Sequence, residues 1–134
     1  MRLDQVTEAE LSILQVLWER GEAITREIAA ALYEEVTDPK MASAQKLLER
    51  LEAKGCVQRD RSGRAHRFRA LVSREDFLRS RLQALADRLC DGALVPLVTT
   101  LLRSKGVSRR EREELRKLVN ALWPSEGSGR RTSD

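Results

Sequence analysis

Apolar residues recur at helical intervals three times in the first half of the chain, and each run is bounded by residues that start or stop a helix. Leu11, Leu14, Leu17 and Trp18 share one face of a helix that Thr7-x-x-Glu10 opens as a capping box and Gly21 stops after Arg20. Ala23-Ile24 then gives a short extended link. Thr25 is placed to cap a second helix, with Ile28, Ala29 and Leu32 inward, that ends near Val36 before Asp38-Pro39. A third helix turns Ala44, Leu47, Leu48 and Leu51 inward, leaves Ser43, Gln45, Lys46, Glu49, Arg50 and Lys54 outward, and closes at Gly55. Its start has two readings: Asp38 as the cap with Pro39 in the first position, or a turn through Lys40 with the helix beginning near Met41.

After Gly55 the pattern changes. Two strand-like runs flank Ser62-Gly63, and the stretch from Cys56 to Arg69 carries five arginines against one aspartate. Such a hairpin is suited to lie on a polyanion. Strand alternation puts Arg59 and Arg61 on the face of Val57, and Arg67 and Arg69 on the face of Ala65 and Leu71, so the charged and apolar faces are not cleanly separated. Phe68 is expected to anchor the ribbon to the helices. Arg64, beside the tip, is best placed to reach a phosphate or the minor groove, and His66 is expected to be structural or phosphate-facing.

The second half is helical and oddly apolar. Ser73 is placed to cap a helix whose Leu78, Leu82, Leu85 and Leu89 form a stripe ending at Asp91-Gly92. Residues Ala93 to Leu102 are nearly free of charge and too short to span a membrane, with Pro96 tolerable only in a first turn, so this helix should be buried nearly all round. Ser108-x-x-Glu111 opens a last helix with Leu115, Leu118, Val119 and Leu122 before Trp123-Pro124. Three short helices of this kind can scarcely make a globule of their own, and a second copy is the expected complement. Leu78, Leu82, Leu85, Leu89, Leu97, Leu101, Leu118 and Leu122 are the candidates for that contact. The expected division is therefore a nucleic-acid-binding unit over residues 1–73, a dimerisation unit over 74–124 and a disordered tail over 125–134.

Composition narrows the class. Aromatic residues at 4% and charged residues at 34% leave leucine, valine and alanine to make the core, which favours helices. The net charge of +4 hides a polarity along the chain: residues 1–38 carry three basic and nine acidic side chains, and residues 39–71 carry nine basic and three acidic. One surface is thus aimed at an anion. The N-terminus lacks the apolar core of a signal peptide, so the expected location is cytoplasmic, without a membrane partner. Cys56 and Cys90 lack metal or redox spacing and read as buried small residues. With one histidine and no phosphate-binding glycine loop, no catalytic constellation emerges, and neither a metal nor a cofactor is expected.

Three short helices followed by an Arg-rich hairpin form the layout of a winged helix-turn-helix, in which the third helix enters the major groove and the wing grips backbone. The expected fold is mainly α with a small β wing, continued by a three-helix dimerisation unit. Ser43 and Gln45 can exchange hydrogen bonds with base edges, and Lys46 and Arg50 can reach bases or phosphates. A polar helix face alone is more often simply solvated, but the ribbon that follows it reverses that balance. Thr25 and Arg26, at the start of the second helix, and Arg61, Arg64 and Arg67, in the wing, are the candidate phosphate contacts. The rival reading is a winged-helix adaptor for other proteins without sequence-specific DNA binding, which has no need of so basic a helix and wing.

The residues also resemble a known family. Val6-Thr7-x-x-Glu10, Ile13-Leu14-x-x-Leu17-Trp18-x-x-Gly21, Gln45-x-Leu47-Leu48-x-Arg50-Leu51-x-x-Lys54-Gly55 and Arg59-Asp60-Arg61-x-Gly63-Arg64-Ala65-His66-Arg67-Phe68 are similar to blocks of the penicillinase and methicillin-resistance repressors and their copper-responsive relatives (BlaI/MecI/CopY type). The similarity continues through Leu71-Val72-Ser73-Arg74-Glu75, Leu89-x-Asp91-Gly92 and Glu113-Glu114-Leu115. The resemblance implies a homodimeric bacterial repressor with one winged helix on each half of a palindromic operator, Ser43, Gln45 and Lys46 on the recognition helix, and Arg50 and the wing arginines on backbone. Met41-Ala42-Ser43-Ala44 departs from the Tyr-Thr-Thr-Val-like start of that helix in the family, which implies different operator bases. Members released by a sensor protease resemble one another around an Asn-Phe bond, and this chain has Thr100-Leu101 at the aligned position. The cysteine-rich metal motif of the copper-responsive branch is absent.

Overall fold

The computed structural model describes residues 3–125. A turn of 3₁₀ helix at Leu3–Gln5 leads into α1 (Glu8–Arg20), β1 (Ala23–Ile24), α2 (Thr25–Leu32) and α3 (Asp38–Ala53). The hairpin β2 (Val57–Asp60) and β3 (Arg67–Ala70) follows, and then α4 (Arg74–Leu89), α5 (Val95–Arg103) and α6 (Arg109–Leu122). The fold is mainly α with a small antiparallel sheet of order β1-β3-β2, which is a winged helix-turn-helix followed by three helices.

Local signals explain most boundaries. The Thr7 hydroxyl accepts from the Glu10 amide while the Glu10 carboxylate accepts from the Thr7 amide, so two orphan N–H groups at the start of α1 are satisfied reciprocally. α2 departs from expectation at both ends. Its cap is Ile24, not Thr25, because Ile24 is held extended by its place in β1 and Glu27 reaches back to its amide at 3.0 Å. α2 stops at Leu32, short of Val36, since Tyr33 is already extended and Thr37 is needed as the cap of α3, accepting from the Lys40 amide at 3.4 Å. α3 therefore starts at Asp38 with Pro39 in its first turn.

Where α3 ends, the chain makes a Schellman closure: the Cys56 amide donates to the Leu51 carbonyl and the Gly55 amide to the Glu52 carbonyl. Gly55 sits at φ +78°, a left-handed conformation in which a side chain would be strained. This closure launches β2 directly from the last turn of α3, so helix and wing share one rigid corner.

The core lies between α1, α2, α3 and the inner face of the sheet, with Ile13, Leu14, Leu17, Ile28, Leu48, Leu51 and Phe68 fully buried or nearly so. Phe68 pairs across the sheet with Ala23 on β1 and Arg59 on β2, which places its ring on the helices as the apolar pattern requires. The first turns of α4 belong to the same core. Trp18 Nε1 donates to the Val72 carbonyl at 2.8 Å, its ring lies 5.7 Å from that of Phe77, and Arg81 stacks on Phe77 and donates to the Val6 carbonyl.

Beyond Phe77 the cover thins, and among the described residues only Ala86 is still buried. α5 is not buried all round as its composition suggests: within one chain Val95 is 73% exposed and Leu101 61%. Of the eight candidate contact leucines only Leu97 is half-buried, and the other seven are exposed. Cys56 is buried under the wing, whereas Cys90 is half-buried, because it ends α4 at a surface turn. Thr100-Leu101 lies within α5, with the Thr100 hydroxyl donating to the Pro96 carbonyl. Apart from residue 125, the tail expected to be disordered lies outside the described residues.

Candidate nucleic-acid interface

Three elements meet on one side of the N-terminal unit. The start of α2 brings Thr25 and Arg26, α3 brings Gln45, and the wing loop brings Arg64 and His66 around a cleft of about 400 Å³ that also touches Arg59. Thr25 and Arg26 are held there because β1 pairs with β3, which ties the start of α2 to the base of the wing. Gln45 faces the cleft because Ala44 and Leu48 beside it are buried in the core and fix the rotation of α3. Ser43, Gln45, Lys46 and Arg50 are all exposed, so the polar face of α3 is open along its length.

The wing arginines are not equivalent. Arg64 is exposed and makes no hydrogen bond or ion pair among the described residues, leaving its five donors free. Arg61 lies 3.7 Å from Glu52 and is half-exposed, a contact that an anion can displace at little cost. Arg67 points the other way. It pairs with Glu22 at 3.6 Å beside the outer face of the sheet and does not line the cleft. The Ser62 amide and hydroxyl hydrogen-bond the Asp60 carboxylate and hold its pKa below the ordinary value, so Asp60 stays ionised and shapes the start of the loop.

Two cations on α3 are placed by tertiary contacts. Lys54, read from the sequence as an outward residue, is mostly buried: its ammonium donates to the Glu10 carboxylate at 2.6 Å and to the Gln5 carbonyl at 2.7 Å. It is a link between α1 and α3, because the Schellman turn bends it back over the start of α1. Arg50 lies on the same flank and is close enough to favour the Glu10 carboxylate electrostatically. Arg59, one of the wing arginines that the resemblance puts on backbone, is instead turned inward. It bridges Glu52 at 3.0 Å, stacks over Phe68 at 4.9 Å and approaches His66 Nδ1 at 3.3 Å. A carboxylate in the last turn of α3, seven residues before an arginine across the Gly55 turn, was the available signal.

Among the described residues no group of three or more His, Cys, Asp or Glu side chains is placed to hold a metal ion, and no helix is long and apolar enough to cross a membrane. The family model described as penicillinase repressor matches residues 6–121, which takes in the winged helix and all three C-terminal helices. The chain belongs to the penicillinase repressor family. It is 25% identical over 119 residues to the penicillinase repressor of Bacillus licheniformis, covering 88% of this chain and 91% of that one. With the penicillinase repressor of Staphylococcus aureus it shares 22% identity over 120 residues, 88% and 93% of the two chains. Among solved structures, the DNA binding domain of the repressor BlaI matches at 26% identity and TM-score 0.46, over 56% of this chain and 90% of that one. A MarR family protein from Bacillus stearothermophilus matches at 23% identity and TM-score 0.47, over 88% and 76%. At such scores the winged-helix assignment of this penicillinase repressor family member rests on its own element order and sheet.

Proposed function

We propose that this chain, a DNA-binding repressor by its family, acts in the cytoplasm as a homodimer on a palindromic operator, with α3 reading bases in the major groove and the wing gripping backbone. Residues 1–73 bind DNA and residues 74–124 join the two copies. The observation that carries the reading is the cleft where Thr25, Arg26, Gln45 and Arg64 converge, which sets a base-reading amide beside free cationic and hydroxyl groups at phosphate-contacting positions. Lys46 and Arg50 extend the contact along α3 and Arg61 adds a releasable charge, while Arg67 reaches DNA only by giving up Glu22. The exposed leucines of α4, α5 and α6 are the surface a second copy covers. An adaptor function is disfavoured because it has no need of the basic helix and wing that converge on this cleft.

The test is to let the protein enrich duplexes from a random pool and then footprint the winner. The expected product is an inverted repeat whose half-sites are spaced by about one turn of DNA, roughly 10 base pairs, or a multiple of it. With on the order of eight phosphate contacts, log affinity should fall against log salt with a slope near −7. Protection of a single asymmetric site by a monomer contradicts the proposal.

Base reading and backbone gripping separate by mutation. Arg64→Ala should weaken binding to the enriched duplex and to a scrambled one by the same factor and reduce the salt slope by about two, one phosphate contact for each copy. Gln45→Ala should weaken only the enriched duplex, by roughly tenfold, and relax preference at the bases it faces. Equal behaviour of the two variants on both duplexes would remove the division of labour.

A further inference from the structure

We propose that Glu52 is a positioning residue for DNA binding: through Arg59 it fixes the pitch of the wing over α3, although it is itself an anion on the DNA-facing side. The inference rests on the DNA-binding reading above. Glu52 stands in the last turn of α3, immediately before the corner at which the chain turns into β2. Its Oε1 accepts from Arg59 Nη2 at 3.0 Å. The same guanidinium lies 4.9 Å over the Phe68 ring, and its Nη1 is 3.3 Å from His66 Nδ1.

Arg59 therefore touches every part of the wing. It belongs to β2, Phe68 is its direct cross-strand partner on β3, His66 ends the wing loop, and Glu52 belongs to the helix that enters the groove. Its side chain is only 13% exposed: Nη2 donates to Glu52, Nη1 lies against His66, and Nε is buried without a hydrogen-bond partner, so the guanidinium is turned into the fold and not toward phosphate. The Glu52–Arg59 pair is a strut between helix and ribbon. Partial burial and charge assistance make it firmer than a surface ion pair, and the planar guanidinium fixes direction as well as distance. The second carboxylate oxygen, Oε2, faces the half-exposed Arg61 at 3.7 Å, so Glu52 also holds a charge that phosphate can take over.

Two forces then act in opposite directions. A carboxylate beside DNA repels every phosphate alike, so its loss should favour binding to any sequence. A strut that sets the angle between helix and wing matters only when both must engage at once, as on a duplex whose bases α3 reads in register. If the strut dominates, losing it harms binding to the correct duplex and not to a random one.

The experiment compares two duplexes at one salt concentration: the duplex enriched by the wild-type chain from a random pool, and a scrambled duplex of the same length and composition. Glu52→Gln is expected to weaken the enriched duplex by roughly tenfold while binding the scrambled one as well as before or a few-fold better. Arg59→Met, which keeps an apolar stem over Phe68 and removes the strut, should lose the same selectivity and carries the test if Glu52→Gln does not fold. The double variant should be no worse than either single one, because both remove one interaction. Tighter binding of both duplexes by Glu52→Gln would show a merely repelling charge and overturn the proposal. So would unchanged binding of both, additive losses, or loss of fold in both single variants. A wild-type chain that enriches no duplex would instead sink the DNA-binding reading, and this inference with it.

Discussion

Leu101→Asp in α5 should convert the protein to a monomer and lower its affinity for a duplex with two half-sites by roughly a thousandfold, while leaving the winged helix folded. Leu101 is 61% exposed and borders a groove of about 390 Å³ lined also by Leu78, Leu82, Leu94, Leu97 and Val98, between α4 and α5. Together with the exposed Leu85, Leu89, Leu118 and Leu122 on α4 and α6, this leaves more apolar surface in water than a chain that works alone ordinarily does. Covering it with a second copy removes those leucines from water at about 25 cal/mol per Å², and an aspartate introduced there must be desolvated without a partner, at several kcal/mol. The core of the N-terminal unit does not include Leu101, so its melting should stay in place. The affinity loss comes from geometry. Two joined winged helices bind the second half-site at a high effective concentration, and a monomer forfeits that gain without losing one contact to its own half-site. Sedimentation gives the mass, and titration of one-half-site and two-half-site duplexes gives the rest. A variant that stays dimeric, or a monomer that still prefers two half-sites, would defeat the dimer reading.

The elements that were legible in the sequence are those decided locally. A capping box, an apolar face and a stop glycine are sufficient for α1 because each acts within one turn, and the same holds for the inner face of α3 and for the leucine stripe of α4. The hairpin was legible because the apolar period changes at Gly55. What escaped depends on contacts distant in sequence. Ile24 displaces Thr25 as a cap because strand pairing with Arg67 holds it extended. α5 reads as a buried helix because composition reports that apolar surface must be covered, not which chain covers it.

The candidate interface divides along the same line. The exposure of Ser43, Gln45, Lys46 and Arg50 follows from helical period alone. The arginines of the wing cannot be ranked that way, since strand alternation gives only a face. Register decides that Arg67 meets Glu22, that Arg59 meets Phe68, and that Arg64 remains free at the loop. A count of positive charges in this hairpin therefore overstates the charge available to DNA: Arg59 and Arg67 are engaged within the fold and Arg61 is partly so.

Lys54→Met should destabilise the protein by about 3 kcal/mol near neutral pH, although the position looks like a surface cation in the sequence. Glu10 is fully buried, and one carboxylate oxygen accepts from both the Lys54 ammonium and the Thr7 amide, while the other has no hydrogen-bond partner. Burial pushes the carboxyl pKa up, but the bonds from Lys54 and Thr7, with the charges of Lys54 and Arg50, outweigh it and hold Glu10 below the ordinary value. A folded pKa below the unfolded one means that the native state binds fewer protons. The pair's contribution is thus present above the ordinary carboxylate range and is lost as pH falls through the depressed value. With Lys54 gone, burial prevails and the Glu10 pKa rises, so the variant pays its largest penalty when the carboxyl is ionised and recovers relative to wild type in acid. Urea unfolding of both proteins near neutral pH and at about pH 3 should show the gap narrowing on acidification. Glu10→Gln combined with Lys54→Met should regain part of the loss, since no buried charge is then left unpaired. A gap that is equal at both pH values, or under about 1 kcal/mol near neutrality, would show that Lys54 is only the surface cation its sequence pattern suggests.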